Sequence, residues 1–329
     1  MPSPADGNVY RPFADLMKLE TIDKTTYRSI APPFAPGGNH PRAVGRAFGG
    51  HVYAQAAWAA SQTVPDGFVI HNVTGWFILG GIPHLPFIYT VQNVRDGKSY
   101  CTRTVTVTQV ATAGICFTST CSFKTAEPST LNVQEHLDLW KRYSSVLESK
   151  RPEEIPVAPG MDVPWFRRML EKEPEKNDKF PGLVHSKVDM TAFNAHRPPL
   201  ERRQLKLYRP IGNMPDNANL HVCAHLYASD IHSLYESSTF LDVSETFTQM
   251  GSLAHTVILH APVEEMLFKA DDDTSSKQGN WFCREAWTTR ASTGRATYEG
   301  KIWSPSGVHV VTLLQDGMIR LKRPDKGKL

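Results

Sequence analysis

Three observations predict an α+β fold in which two curved antiparallel sheets each wrap a central helix. A nearly charge-free, Ala-rich segment from Gly50 to Val64 is followed by short runs of alternating pattern. The same succession returns after residue 183, as a weak internal repeat. The length of 329 residues accommodates two such units, since one domain takes roughly 150 residues.

The elements follow in order. Residues 1–45 read as a lead-in, because Pro32-Pro33 and Gly37-Gly38 interrupt any regular element. From Gly50 the run HVYAQAAWAASQTV places Val52, Ala56, Ala59 and Ala60 at helical spacing and stops before Pro65, which predicts a helix buried on most sides. Strands are expected at 88–94, at 101–110 and at 115–123, where Ile115, Phe117, Cys121 and Phe123 are assigned to one face. Arg95-Asp-Gly-Lys98 and Ala113-Gly114 supply the turns. Residues 126–182 hold seven prolines and many charges, and read as a connector with helical pieces at 133–147 and 165–173. The second unit begins with strands at 184–188 and 205–209. A helix then opens near Asn219 and runs through HVCAHLYASDIHSLY to about residue 235. Strands at 254–259, 281–291, 294–304 and 308–321 complete it, with a polar loop at 269–280 whose Asp271-Asp272-Asp273 reads as solvated. The expected organisation is therefore 1–125, a 126–182 connector, and 183–329.

Composition narrows the function. Hydrophobic residues make up 40% and charged residues 21%, as in an ordinary globular chain, and the net charge is +3 without a long basic run. Nothing demands nucleic acid or an anionic membrane. The longest stretch free of Asp, Glu, Lys and Arg, 67–94, is broken by Gly80-Gly81, Pro83 and Pro86, so no membrane insertion is expected. The first residues have no apolar h-region and suggest no secretory signal. Five cysteines, 101, 116, 121, 223 and 283, form an odd set without CxxC and read as free thiols. GxSxG, GxGxxG and GxxxxGK[ST] are all absent, which disfavours a nucleophile elbow and the common nucleotide sites. His221 and His225 have the i, i+4 spacing of a ligand pair, yet no HExxH glutamate or third ligand accompanies them, and no metal or cofactor is expected.

The remaining candidates are polar residues inside apolar elements. Asp230 lies on the second unit's helix, where a carboxylate is expensive to bury without hydrogen bonds. Ser252 opens Ser-Leu-Ala-His-Thr-Val-Ile, and Gln315 follows Val310-Val-Thr-Leu-Leu near the end of a strand. Taken singly, each also fits an ordinary role: a helix-capping acid, a turn hydroxyl, an outward amide.

Together these segments resemble the acyl-CoA thioesterase II family, over nearly the whole chain and in order. Arg46-Ala-Phe-Gly-Gly-His-Val-Tyr-Ala-Gln-Ala is similar to the family's FGGQ…GQA helix start, Trp76-Phe77 to its Tyr-Phe, and Val94-Arg-Asp-Gly-Lys-Ser99 to its RDGxS turn. Tyr227-Ala-Ser-Asp230, Ser252-Leu-Ala-His255, His260 and Gln315-Asp-Gly317 fall on successive family positions in the second half. The resemblance implies a double hotdog that hydrolyses acyl-CoA to free acid and CoA, with Asp230 as base and Ser252 and Gln315 orienting a water. Amides around Gly49, Gly50 and His51 are then candidates for the oxyanion or substrate. Departures stand beside the matches. His51 replaces a usual Gln, Gly80-Gly81-Ile82 replaces Pro-Gly-Asp, and Ala254 and Ile258 replace an Asp and a Trp, changes expected to alter the pocket lining. A non-enzymatic acyl-CoA-binding module and a hotdog enoyl-CoA hydratase or dehydratase are the alternatives. The implied partner is an acyl-CoA, and a homo-oligomer is compatible with it. The tail Gly327-Lys-Leu329 resembles a peroxisomal Ser-Lys-Leu signal, which leaves a peroxisomal or cytoplasmic location.

Overall fold

The computed structural model describes residues 9–38, 40, 45–110, 114–135, 138–147, 150–269 and 280–322. The strands are β1 (Leu19–Thr21), β2 (Thr26–Ser29), β3 (Val69–Phe77), β4 (Ile88–Asp96), β5 (Tyr100–Thr108), β6 (Ile115–Lys124), β7 (Leu183–Lys187), β8 (Gln204–Pro210), β9 (Phe247–Leu259), β10 (Phe282–Trp287), β11 (Ala291–Ser292), β12 (Arg295–Trp303) and β13 (His309–Leu321). They are hydrogen-bonded in the order β1-β2-β4-β5-β6-β3-β9-β13-β12-β10-β8-β7, with β11 beside β12. The two curved sheets are thus halves of one continuous sheet. Their joint is β3 on β9, where Asn72 through Trp76 pair antiparallel with Ile258 through Ala254.

Sequence pattern explains most of the register. In β5, Cys101, Arg103, Val105 and Val107 turn inward and are buried while the intervening threonines face outward, the period-2 alternation of a sheet packed on one side. In β6, Phe117, Ser119, Cys121 and Phe123 are buried, but Ile115 is exposed, against expectation. A register shift between Val107 and Thr108 rotates the start of the strand away from the core. Thr293 and Gly294 both have positive φ, 52° and 72°, as a tight β11–β12 turn requires. Strand β3 was not foreseen, because a register shift between Ile70 and Asn72 breaks its alternation.

The first central helix spans Gly49–Ser61 and the second Ala218–Asp230. Both are buried nearly all round, with the sheet on one side and each other on the remaining side. Their approach needs glycine: a Cβ on Gly50 would stand 2.9 Å from the Tyr227 carbonyl oxygen and 2.4 Å from the Phe48 ring. Asn217 caps the second helix by accepting from the Leu220 N–H at 3.2 Å. That helix ends at Asp230 instead of continuing to 235. His232 takes the left-handed conformation (φ 62°), and a separate helix, Ser233–Phe240, follows.

Among its described residues the connector holds only short helices, Leu139–Arg142, Ser144–Leu147 and Pro164–Leu170, with single 3-10 turns at Pro152–Glu154 and Pro174–Lys176. It packs on the second half, with Ala158 N–H donating to the His185 carbonyl (2.9 Å) and Lys187 N–H to that of Pro156 (3.0 Å). The lead-in also reaches that half, where Phe13 N–H donates to the Ile211 carbonyl (3.0 Å). Among the described residues no helix is long and apolar enough to cross a membrane. Asp271-Asp272-Asp273, most of the loop around them, and Gly327-Lys328-Leu329 lie outside the described residues.

Candidate active site

Asp230, Ser252 and Gln315 come from a helix end, β9 and β13, and the fold brings all three together. Residues 311–316 of β13 pair with β9 in steady register until a shift between Asp316 and Gly317, beyond which Gly317 faces Ser252. That shift sets Ser252 diagonal to Gln315. Gln315 Nε2 donates to Asp230 Oδ1 at 2.6 Å and to Ser252 Oγ at 2.8 Å. Facing a carboxylate, this end of the amide must be the NH2, and both its hydrogens are used. Gln315 Oε1 is buried without a hydrogen-bond partner, which leaves an acceptor on offer beside the carboxylate.

The second side of Asp230 meets the start of the first central helix. The Gly50 N–H faces the carboxylate and lowers its pKa, and a Cβ on Gly49 would lie 2.9 Å from Asp230 Oδ2 and 2.9 Å from the Phe77 ring. Only glycine at 49 lets the positive helix end come this close to the charge. Ser233, opening the following helix, donates to Asp230 Oδ1 at 3.3 Å. Gly317 makes room for that helix, since a Cβ there would meet Leu234 at 2.2 Å. Burial pushes the Asp230 carboxyl up to about 6, against the lowering influence of Gln315, Ser233, the Gly50 N–H and Arg284. The result is a carboxylate at neutral pH with more basicity than a surface aspartate. Ser252 is only half-buried and forms the outward edge of the group.

The other predicted residues divide. Gly49 and Gly50 reach the site, where the Gly50 N–H faces the Asp230 carboxylate. The His51 N–H is engaged by the Phe48 carbonyl (3.2 Å). The His51 ring points into the first half instead, with Nε2 3.1 Å from Gln55 Oε1, an oxygen that also accepts from the Tyr89 hydroxyl (2.6 Å). Burial pushes that imidazole down to about 4, so it is neutral. Ala254 and Ile258 lie on the outer side of β9, alternating with buried His255 and Val257, so these departures do not line the interior. His221 and His225 use both ring nitrogens: His221 with Pro215 O and Phe268 N–H, His225 with Met266 O and the Tyr208 hydroxyl. They are hydrogen-bonded structural residues. All five cysteines are buried and unpaired.

Sequence reading missed Ser233 and Arg284. Ser233 carried no signal. Arg284 did, as a cation in the apolar run Trp281-Phe-Cys-Arg-Glu-Ala-Trp287, since a full charge is seldom buried without a specific partner.

Chemically, the site offers a basic carboxylate, a hydroxyl fixed by an amide, a free amide oxygen and a helix N-terminus. This set can hold a water, take its proton and face a developing negative charge. A model of the acyl-CoA thioesterase N-terminal domain matches residues 39–124, and one of the C-terminal domain matches residues 152–319. The chain is 25% identical over 318 residues to acyl-coenzyme A thioesterase 8 from Homo sapiens, covering 93% of this chain and 88% of that one. It is 26% identical over 315 residues to acyl-CoA thioesterase 2 from Haemophilus influenzae, covering 93% and 96%. Among solved structures, it superposes on an acyl-CoA thioesterase II from Mycobacterium marinum with TM-score 0.67 at 24% identity, over 94% of this chain and 99% of that one. A hot dog fold protein of unknown function from Alicyclobacillus acidocaldarius gives TM-score 0.64 at 18% identity, over 94% and 98%. The shared architecture is the double hotdog, with each half of the sheet wrapped around its helix.

Proposed function

The chain belongs to the acyl-CoA thioesterase family and is a thioester hydrolase, and from that premise we propose that it cleaves a fatty acyl-CoA with one water activated by Asp230, Ser252 and Gln315. The observation that carries this reading is the bridging amide: Gln315 Nε2 joins the Asp230 carboxylate to the Ser252 hydroxyl. Three residues far apart in sequence are held in one hydrogen-bonded unit, around a carboxylate that burial has made basic.

In this mechanism Asp230 takes a proton from water as the water oxygen attacks the thioester carbonyl carbon. Ser252 Oγ accepts from Gln315 and so keeps its own hydrogen to direct at the water or the carbonyl oxygen. Gln315 Oε1 accepts the second water hydrogen. The oxyanion is assigned to the Gly49 amide, at the positive end of the first central helix, since the His51 N–H is engaged by Phe48 and the Gly50 N–H faces the carboxylate. The tetrahedral intermediate collapses by breaking the C–S bond, and the departing CoA sulfur takes up the proton held on Asp230, which restores the carboxylate. A thiolate leaves readily, so no covalent enzyme intermediate is needed.

Release of CoA thiol from acyl-CoAs of graded length tests the activity and reads the preferred chain. Asp230→Asn should lower turnover by about 100- to 10,000-fold while acyl-CoA binding persists. Ser252→Ala and Gln315→Ala should lower it less, because the base remains. A folded Asp230→Asn protein that works at near wild-type rate would refute the mechanism. For location we propose the peroxisome or the cytoplasm. Deleting Gly327–Leu329 from an N-terminally tagged chain should disperse a peroxisomal pool if the tail is an address.

A further inference from the structure

We propose that Arg284 is a positioning residue for this reaction: it closes the carbonyl end of the second central helix, where Asp230 stands, and so sets the direction of the carboxylate. The inference rests on the reading of Asp230 given above. Arg284 lies in β10 and is fully buried. Its Nη1 donates to the carbonyls of Ala228 (2.6 Å) and Ser229 (3.3 Å), and its Nη2 donates to that of Ile231 (2.8 Å). These carbonyls belong to residues on both sides of Asp230. A helix end leaves such groups short of intrahelical partners; Ala228 O still accepts the Ile231 N–H (3.3 Å), and a planar fork from another element supplies the remaining donors.

The chain geometry shows why the closure matters. Asp230 is the last helical residue, Ile231 is extended (ψ 112°), and His232 is left-handed, an unfavourable conformation for a residue with a Cβ. The break starts a new helix whose first residue, Ser233, meets the Asp230 carboxylate. The break is held from three directions. Arg284 takes the carbonyls, Lys206 Nζ donates to His232 Nδ1 (2.8 Å), and His232 Nε2 donates to the Gly160 carbonyl (3.2 Å). Glu236 anchors both cations, accepting from Arg284 (2.8 Å) and Lys206 (2.7 Å) on one oxygen and from the Tyr298 hydroxyl (2.9 Å) on the other.

Charge bookkeeping separates this role from mere ion pairing. Glu236 is already balanced by Lys206, so a second buried cation is not required to neutralise it. What Arg284 adds is the fork on the carbonyls and a positive charge behind the carboxylate. The groups that face Asp230 are Gln315 from β13, Ser252 from β9 through Gln315, Ser233 from the next helix, the Gly50 N–H from the first central helix, and Arg284 from β10. Four phenols, those of the buried Tyr53, Tyr227 and Tyr298 and the partly buried Tyr235, also sense its charge, and burial holds them neutral. Arg284 is the one cation in that set, so losing it should make the Asp230 carboxyl harder to ionise.

The test uses the full chain and four variants: Arg284→Gln, Arg284→Lys, Glu236→Gln and, as reference, Asp230→Asn. Arg284→Gln leaves a balanced Lys206–Glu236 pair, and Arg284→Lys keeps the charge should the neutral variant fail to fold. The readouts are kcat and KM for the best acyl-CoA and the acid limb of kcat/KM against pH. Arg284→Gln should lose about tenfold or more in kcat with KM within about twofold, and its acid limb should move about one pH unit upward. Arg284→Lys should return the limb towards wild type but recover kcat only in part, because one ammonium cannot satisfy three carbonyls. Glu236→Gln, which frees the cations without removing the fork, should spare kcat more than Arg284→Gln. Arg284 variants with lower unfolding midpoints but wild-type kcat and acid limb would overturn the proposal, leaving a purely structural residue. If those variants behave so while Asp230→Asn is inactive, only the positioning role fails. An active Asp230→Asn would remove the basis of both.

Discussion

Asp230→Asn should gain stability relative to the wild type as pH rises, while losing most of its turnover. Asn matches Asp in size, and its Oδ1 can accept from Gln315 Nε2 as the carboxylate does. What changes is the charge in a buried site. In the folded protein burial has carried this carboxyl from an ordinary 3.8 to about 6. Below about pH 4 both folded and unfolded chains hold the proton, and the group contributes no pH-dependent difference. As pH rises from 4 to 6 the unfolded chain ionises first, so the stability that the group gives the folded state at low pH is progressively lost. Above pH 6 the loss is complete and amounts to about 3 kcal/mol, at about 1.4 kcal/mol per tenfold change. Asn never ionises and escapes it. Urea unfolding of both proteins at pH 4, 6 and 8 measures the difference directly, with any constant offset between Asp and Asn cancelling across the series. The Asn variant should gain up to about 3 kcal/mol on the wild type between pH 4 and pH 8. A difference that stays flat, or that moves in favour of the wild type as pH rises, would show that Asp230 is not a high-pKa buried base. Such a residue stores destabilisation at the place where chemistry needs it.

Other outcomes follow from the same geometry. Gly50→Ala should destabilise by about 1–3 kcal/mol in denaturant titration, because its Cβ would meet the Phe48 ring and the Tyr227 carbonyl and push the two central helices apart. Thiol reagents should react slowly with the native protein and spare activity, since all five cysteines are buried and burial pushes Cys116 to about 11 and Cys121 to about 12. Loss of all activity on replacing one cysteine by Ser in a folded protein would count against a water mechanism. An organophosphonate should form no stoichiometric adduct at Ser252 by mass spectrometry, because its described partner is the Gln315 amide and not an imidazole base.

The lesson of sequence against structure lies in particular elements. The helix at Gly50, strands β5, β6, β8, β12 and β13, and the turn at Thr293-Gly294 were legible because each is written in local periodicity or turn chemistry. Asp230, Ser252 and Gln315 stood out as polar residues in apolar runs, and the family resemblance joined them. Each of the three was also compatible with an ordinary role. Their convergence was not in the pattern, because it depends on a register shift after Asp316 and on a helix that stops at Asp230.

By itself, then, the sequence determined which segments alternate, which are buried helices, and which polar residues are out of place, because those properties reside in neighbouring side chains. Tertiary structure alone decided the rest. It joined the halves through β3 and β9, turned the His51 ring to Gln55 instead of Asp230, and put Ala254 and Ile258 on the outer face. It also ended the second helix with Arg284, a residue 54 positions beyond Asp230 in the chain. These contacts form between segments remote in sequence, where no local period reports them, and their outcome is set by which buried polar groups find partners once the sheet closes round its helices.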